Sequence, residues 1–216
     1  MQTQNRPFQR RLPHIYLPEQ PIFITWRLKF DLPKPVLNEL ERIKQEYTAE
    51  TEKLSDEFRK MQNYINHKRI FGWLDSQYDK IDPGDVSLNS KEIGSILKDT
   101  ILAQQELDYH VYAFCIMPNH VHVLMTPYCA SEFVNKSLSD ILKKWKGSSA
   151  RAINLHLNRS GSLWSPESYD HLVRNVDELS RVMDYIIQNP VSARLVHSWK
   201  DWEYTWIDNQ TYGYLK

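Results

Sequence analysis

Alternating and helical patterns of apolar residues predict a mixed fold in the first half of the chain. The segment from Pro21 to Phe30 alternates and is rich in β-branched and aromatic residues, which predicts a first strand. From Val36 to about Ile65 there is no Gly or Pro, and apolar residues recur near helical spacing. This predicts one long helix, or two helices with a break near Thr48 to Thr51. A further helix is expected after an N-cap at Asn89 or Ser90.

Two apolar runs in the middle of the chain predict a β-hairpin. They span Tyr109 to Met117 and His120 to Thr126, and the pair Pro118-Asn119 between them is compatible with a turn. His120 and His122 open the second strand. Because residues i and i+2 of a strand point to the same face, these two imidazoles can hold one metal ion between them.

The hairpin is followed by a predicted helix from Phe133 to Leu157, either continuous or interrupted at Gly147 to Ser149. Between Ser131 and Ser160 there are six Lys and Arg against two Asp and Glu, a local excess of four positive charges. Such a stripe is compatible with a groove for a nucleic-acid backbone, although basic runs on helices are more often a solvated face. The chain as a whole has zero net charge, which argues against non-specific coating of nucleic acid.

A last helix is predicted after a cap at Asn175 or Asp177, and Pro190 is expected to end it. At about 100° per residue its apolar side chains form one arc, made of Leu179, Val182, Met183, Ile186 and Ile187. The opposite side holds Glu178, Arg181, Tyr185 and Asn189. Tyr185 is thus off the core-facing stripe, and a helix that docks by its apolar arc is expected to present the Tyr185 phenol and the Asn189 amide together, one turn apart, to whatever lies across from it.

Phosphoryl transfer on a nucleic acid is the chemistry that a metal site and a tyrosine together indicate. Tyr169, in an extended segment that begins at Leu163, is the rival nucleophile. A phenol with an ordinary pKa near 10 needs activation by a metal or a base at neutral pH. Attack by the tyrosine on a phosphodiester would replace one phosphoester by another, so the step would be reversible without ATP.

Composition indicates a soluble protein of a reducing compartment. The 41% hydrophobic content is ordinary for a globular protein. Cys115 and Cys129 do not form a disulfide-framework pattern. The start of the chain is polar, and no apolar run reaches the roughly 18 residues that a membrane span needs. We therefore expect a cytoplasmic protein without a membrane partner, folded as a single domain over residues 1–216.

Four stretches carry a resemblance to a known family. They are Arg10 to His14, Met117 to Met125, Leu163 to His171 and Tyr185 to Val196. Together they resemble the single-tyrosine HUH transposases, most closely the branch associated with repetitive extragenic palindromes. The resemblance implies an α+β fold with a ferredoxin-like antiparallel sheet and flanking helices. The mostly helical stretch at about residues 34–107 lies outside the resemblance and is expected to be an insertion.

The resemblance also implies a function and a set of site residues. His120 and His122 match the paired metal ligands of the family, Tyr185 matches the nucleophile, and Asn189 matches the polar residue that completes the metal site. Members of the family cut and rejoin single-stranded DNA next to hairpins with a divalent metal, here expected to be Mg²⁺ or Mn²⁺. The resemblance implies that attack by Tyr185 gives a 5′-phosphotyrosine and a free 3′-OH.

The expected partner is single-stranded DNA with hairpin structure, and both a monomer and a homodimer stay open. Candidate DNA-binding residues are Arg10, Arg11, Lys143, Lys144, Lys146, Arg151 and Arg174. Trp145 among them is expected either to stack on a base or to anchor its helix. The chain departs from the family at Ser165, where Gln is common, and at Arg194, where the family has glycine.

Two other function classes stay open at this point. A non-catalytic protein on the same scaffold would bind DNA hairpins without forming a covalent adduct. A zinc hydrolase would need a third strong ligand, which is not obvious in the sequence near His120, and its activity would not depend on Tyr185.

Overall fold

The structure is a computed structural model that describes residues 20–128 and 137–215 of the chain. Within these segments the elements run in the order β1 (Ile22–Leu28), α1 (Lys34–Glu52), α2 (Asp56–Tyr78), α3 (Lys91–Leu102), β2 (Tyr109–Ile116), β3 (His120–Pro127), α4 (Leu138–His156), β4 (Trp164–Leu172), α5 (Val176–Ser192), a 3₁₀ turn (Trp199–Asp201), β5 (Thr205–Ile207) and α6 (Asn209–Leu215). The described residues divide into two compact units, one of residues 30–81 and one of residues 20–29, 82–128 and 137–215.

The smaller unit is a helical pair with its own apolar core. Pro35 lies in the first turn of α1, where its missing N–H costs nothing, and Asp56 and Glu57 occupy the favourable first turn of α2. The core consists of Leu32, Leu40, Ile70, Leu74 and Tyr78. The two-helix alternative is thus confirmed, although the break falls at residues 53–55, after the predicted position, and α2 continues well past Ile65.

The larger unit contains a five-stranded sheet in the order β4-β1-β3-β2-β5, with antiparallel pairing throughout. The order β4-β1-β3-β2 is that of a ferredoxin-like fold, in which β3 lies between β1 and β2, and β1 lies between β3 and β4. The predicted first strand and the predicted hairpin are present at β1 and at β2 with β3. The α+β fold class with a ferredoxin-like antiparallel sheet is confirmed.

The helices α4 and α5 pack on opposite faces of the sheet, as the alternation of side chains along β1 shows. Trp26 packs against Trp145 of α4, with ring centroids 5.8 Å apart, and the Trp145 indole N–H donates to the Tyr109 hydroxyl at 2.8 Å. Trp145 is buried and anchors α4, as one of its two predicted roles required. Thr25, the neighbour of Trp26, points to the other face, where Tyr185 of α5 lies against the adjacent Phe23.

One predicted helix end is wrong, and one open alternative is settled. The helix α4 is continuous through Gly147; it begins at a capping box between Ser137 and Asp140, and the predicted start at Phe133 lies outside the described residues. The helix α5 passes through Pro190 and ends at Ser192. A proline this close to a helix end removes only one N–H donor, so the final turn still forms. No helix within residues 20–128 and 137–215 has the length and hydropathy of a membrane span.

Candidate active site

Two buried imidazoles lie side by side at the start of β3. His120 and His122 are both 0% exposed, and their Nε2 atoms are 3.0 Å apart. The predicted arrangement is confirmed, since both side chains extend from one face of the strand and their rings converge at an angle of 78°. The two residues flank Val121, which points to the opposite, fully buried face.

The outer nitrogen of each ring contacts a polar side chain of a neighbouring segment. Nδ1 of His120 lies 2.7 Å from Oδ1 of Asn119, and Nδ1 of His122 lies 2.8 Å from Oγ1 of Thr25. An amide oxygen only accepts hydrogen bonds, so His120 donates its Nδ1–H and keeps its lone pair on Nε2. The Thr25 hydroxyl is able either to donate a hydrogen bond to His122 or to accept one from it. Contacts of this kind orient metal-binding histidines in proteins.

Burial also keeps His122 neutral. Removal from water lowers the pKa of His122 to about 3, because the charged imidazolium is poorly solvated there. A neutral imidazole offers a lone pair to a metal, whereas an imidazolium does not.

The donor set therefore fits a metal ion. The two Nε2 atoms lie 3.0 Å apart on one face of the strand, so both could contact the same ion. The pair can hold a metal ion through these two atoms. Their chemistry as neutral nitrogen donors suits divalent metals of the first transition row.

A tyrosine from α5 contacts this pair. The Tyr185 ring lies edge-on to His122 with centroids 5.7 Å apart, and 37% of the residue is exposed. The prediction that Tyr185 lies off the core-facing stripe is consistent with this exposure. Phe23 packs against both rings, 5.6 Å from His122 and 5.8 Å from Tyr185. Tyr169, the rival nucleophile, also lies against Phe23, at 6.1 Å, on the strand beside β1.

The polar side of α5 is partly buried. Asn189 follows Tyr185 by one turn and is buried. Glu178 is buried too, because its carboxylate accepts a hydrogen bond from the Arg174 backbone N–H at 3.0 Å and contacts Nε2 of His171 at 2.9 Å. Asn175 caps the helix by accepting from the Glu178 N–H. The side of α5 opposite its apolar arc is therefore partly covered by the rest of the fold at Glu178 and Asn189.

Of the candidate DNA-binding cations that the structure describes, those on α4 lie on the face of the sheet opposite the histidines. Lys143, Lys144 and Arg151 are exposed on α4, across the sheet from the imidazole pair. Lys146 donates to the backbone oxygen of Ser165 at 2.6 Å, and Arg174 is exposed just before α5. Arg10, Arg11 and Cys129 lie outside the described residues.

Sequence reasoning missed the residues that support the metal pair. Thr25 and Phe23 stand on the same face of β1 by strand alternation, but nothing local to them indicates that β1 pairs with the histidine strand. Asn119 was predicted only as part of the turn, and its contact with His120 was missed. The sequence does show the period-two alternation of β1. That alternation identifies the residues facing the histidines only once β1 is known to pair with β3.

Comparisons with known proteins support the resemblance that the motifs carry. Residues 88–189 match the family model described as "Transposase IS200 like". A putative REP-associated tyrosine transposase of Haemophilus influenzae is 27% identical over 109 residues, which is 45% of this chain and 58% of that protein. The REP-associated tyrosine transposase of Escherichia coli K12 is 22% identical over 105 residues, covering 49% of this chain and 58% of that protein. The chain thus spans 58% of the length of these curated relatives.

A solved structure shares the fold. It is a REP-associated tyrosine transposase bound to a REP hairpin, with a TM-score of 0.53 and 16% identity, and the similarity covers 91% of this chain and 82% of the other. The region matched by the family model contains both histidines, Tyr185 and Asn189. The predicted resemblance to the single-tyrosine transposases is therefore confirmed.

Proposed function

We propose that this protein is a divalent-metal-dependent transposase that cuts and rejoins single-stranded DNA beside hairpins. The observation that carries the proposal is the edge contact between the exposed Tyr185 phenol and His122 of the buried histidine pair. A nucleophile has to reach a DNA phosphate from solvent, whereas metal ligands have to be held in place. Tyr185 meets the first requirement, and His120 and His122 meet the second.

The chemical step is a transesterification. The Tyr185 oxygen attacks the phosphorus of a phosphodiester, a new bond to the phenolic oxygen forms, and the bond to the 3′ oxygen breaks. The phenol loses its proton and the departing 3′ oxygen gains one, so no net proton, nucleotide or water is consumed. The product is a 5′-phosphotyrosine, which a 3′-OH of the same or another strand can attack in the reverse sense to rejoin DNA.

His120 and His122 would hold the metal, and we assign Asn189 as a further ligand on the same helix as the nucleophile. When bound, Mg²⁺ or Mn²⁺ supplies a Lewis acid that stabilises charge on the non-bridging phosphate oxygens. The chain itself positions the phenol: Phe23 packs against the Tyr185 ring from β1, and the buried apolar residues Met183, Ile186 and Ile187 fix the rotation of α5.

The proposed substrate is single-stranded DNA with a hairpin, supported by the related transposase whose structure includes a REP hairpin. Backbone contacts are assigned to exposed cations, with Arg174 beside α5 and Lys143, Lys144 and Arg151 on α4. Contact with α4 requires the DNA to extend around the sheet, as a duplex hairpin stem beyond the cleaved strand can do.

Formation of a covalent adduct tests the proposal. End-labelled DNA hairpins with single-stranded flanks are incubated with the full chain and Mn²⁺, and the products are separated on a denaturing gel. We expect a slow-migrating protein–DNA band that EDTA abolishes and that Tyr185→Phe and His122→Ala both lack.

Tyr169→Phe is the matched control, because it removes a phenol from the same aromatic cluster. We expect this variant to retain the band. If Tyr169→Phe lost the band and Tyr185→Phe retained it, the nucleophile would be Tyr169 of β4 and not Tyr185. Retarded hairpins on a native gel without any covalent band would identify a non-catalytic hairpin-binding protein. Metal-dependent hydrolysis that survives loss of both tyrosines would identify a hydrolase.

A further inference from the structure

We propose that Thr25 is a positioning residue that switches His122 between a metal-free and a metal-binding tautomer. The inference rests on the proposed metal site and adds a role for a residue outside the region that the family model matches. Four side chains form a continuous series of contacts. They run from Thr25 Oγ1 to His122 Nδ1 at 2.8 Å, between the two Nε2 atoms at 3.0 Å, and from His120 Nδ1 to Asn119 Oδ1 at 2.7 Å.

In the metal-free protein, the Asn119 amide at one end of the series sets the donor and acceptor of each hydrogen bond. Because Asn119 Oδ1 accepts, His120 carries its proton on Nδ1, and its Nε2 presents a lone pair. The Nε2 atoms of His120 and His122 are 3.0 Å apart, which is a hydrogen-bond distance. Because His120 Nε2 carries a lone pair, the proton belongs to His122, which donates its Nε2–H to His120. His122 Nδ1 is then an acceptor, and Thr25 donates its hydroxyl proton to it.

A metal held by both Nε2 atoms requires a different arrangement. His122 must move its proton from Nε2 to Nδ1, so that both lone pairs face the ion, and Thr25 must change from donor to acceptor. His122 has one ring proton before and after, so the pair neither gains nor loses a proton. His120 needs no change, because its partner already imposes the metal-binding tautomer.

The chemistry of a hydroxyl is what allows both states. A carboxylate or carbonyl oxygen at this position would only accept and would fix the metal-binding tautomer, whereas an ammonium group would only donate. Thr25 is 3% exposed, and its hydroxyl rotates without displacing the strand. Valine has nearly the same shape but would leave the Nδ1–H of the metal-bound state buried without an acceptor, which is costly.

Metal affinity and proton position are measured together to test this role. Calorimetric titration of the metal-free full chain with Mn²⁺ compares the wild type with Thr25→Val and Thr25→Ser. We expect Thr25→Val to weaken binding by about 10- to 100-fold, and Thr25→Ser, which restores the hydroxyl, to stay within about threefold of the wild type. Thr126→Val is the matched control, because Thr126 is a buried threonine of the same sheet whose hydroxyl contacts Tyr112.

Nitrogen-15 NMR of the imidazoles reads the tautomer directly, with Zn²⁺ as a diamagnetic probe. We expect the His122 proton on Nε2 in the metal-free protein and on Nδ1 in the loaded protein. A proton on Nδ1 in both states, a Thr25→Val variant that binds Mn²⁺ as tightly as the wild type, or a wild type that binds no Mn²⁺ would each overturn the inference. A wild type that binds Mn²⁺ and moves the proton but forms no DNA adduct would instead refute the proposed function.

Discussion

The phenol ring of Tyr185 lies edge-on to the imidazole of His122, with ring centroids 5.7 Å apart and ring planes inclined by 72°. The two residues come from α5 and β3, and Phe23 of β1 contacts both of them. This relationship brings a helix-borne nucleophile to a strand-borne pair of nitrogen donors. The position of α5 on the sheet is therefore the structural variable on which the proposed chemistry depends.

The start of α5 is fixed by Glu178, which joins the helix to β4 through His171 and to the chain before it through Arg174. We expect Glu178→Ala to lower the free energy of unfolding by about 1 to 3 kcal/mol, because it removes the carboxylate that contacts the buried His171 ring and accepts from the Arg174 backbone N–H. Urea denaturation measures this change, and hydrogen exchange should show faster opening of the first turn of α5.

Asp177→Ala is the control for that prediction, because Asp177 is the exposed neighbour in the same helical turn. It removes a charge that is favourable at a helix N-terminus, so we expect a loss below about 1 kcal/mol. Equal losses in the two variants would mean that the carboxylate of Glu178 acts only through the helix dipole.

Two helical glycines are expected to respond oppositely to alanine. A Cβ at Gly94 of α3 would lie 2.5 Å from the Tyr204 ring, whereas a Cβ at Gly72 of α2 would meet no atom within 4 Å. Gly72→Ala should stabilise the protein by about 0.5 to 1 kcal/mol through helix propensity. Gly94→Ala should destabilise it by about 1 to 3 kcal/mol, since the close approach of Tyr204 is lost. Thermal unfolding compares them, and a stabilising Gly94→Ala would contradict the packing of Tyr204.

Asp79, at the end of α2, is expected to make stability depend on pH. Burial, and then repulsion from Asp75, raise the pKa of Asp79 from 3.8 to about 7. Between these two values the folded state binds more protons than the unfolded state, so the contribution of Asp79 to stability falls as pH rises through about 7. Asp79→Asn should be nearly neutral at pH 4 and stabilising at pH 8, by about 1 to 2 kcal/mol after solvent screening.

Urea denaturation at both pH values measures this difference. Glu57→Gln, an exposed acid in the first turn of the same helix, serves as the control and should show no gain at pH 8. A gain from Asp79→Asn that is the same at pH 4 and pH 8 would show that ionisation is not its cause.

Local patterns in the sequence were sufficient for most elements of the fold. The alternation of β1, the hairpin of β2 and β3, and the apolar arc of α5 all lie where the residues predict them, because each buries one face against a neighbour. Pro190 was misjudged because its effect depends on how many helical residues follow it, and here only two do. The ends of α4 and α2 were likewise set by caps and by tertiary packing.

The site was predictable where its residues share one element. His120 and His122 are two positions apart on one strand, and Tyr185 and Asn189 are one turn apart on one helix. Thr25 and His122 are 97 positions apart and meet only because β1 pairs with β3. The partner of His171 was missed for a similar reason, since the sequence places Glu178 opposite the apolar arc of α5 but does not show that β4 lies beside it.

The central claim is that Tyr185 becomes covalently joined to DNA, and mass spectrometry of the trypsin-digested adduct tests it most directly. Tyr185 and Tyr169 fall in separate tryptic peptides, residues 182–194 and 160–174, and each peptide contains one tyrosine. We predict a nucleotide 5′-phosphate attached to the peptide of residues 182–194 only. Attachment to the peptide of residues 160–174, or to neither, would contradict the assignment of Tyr185 as the nucleophile.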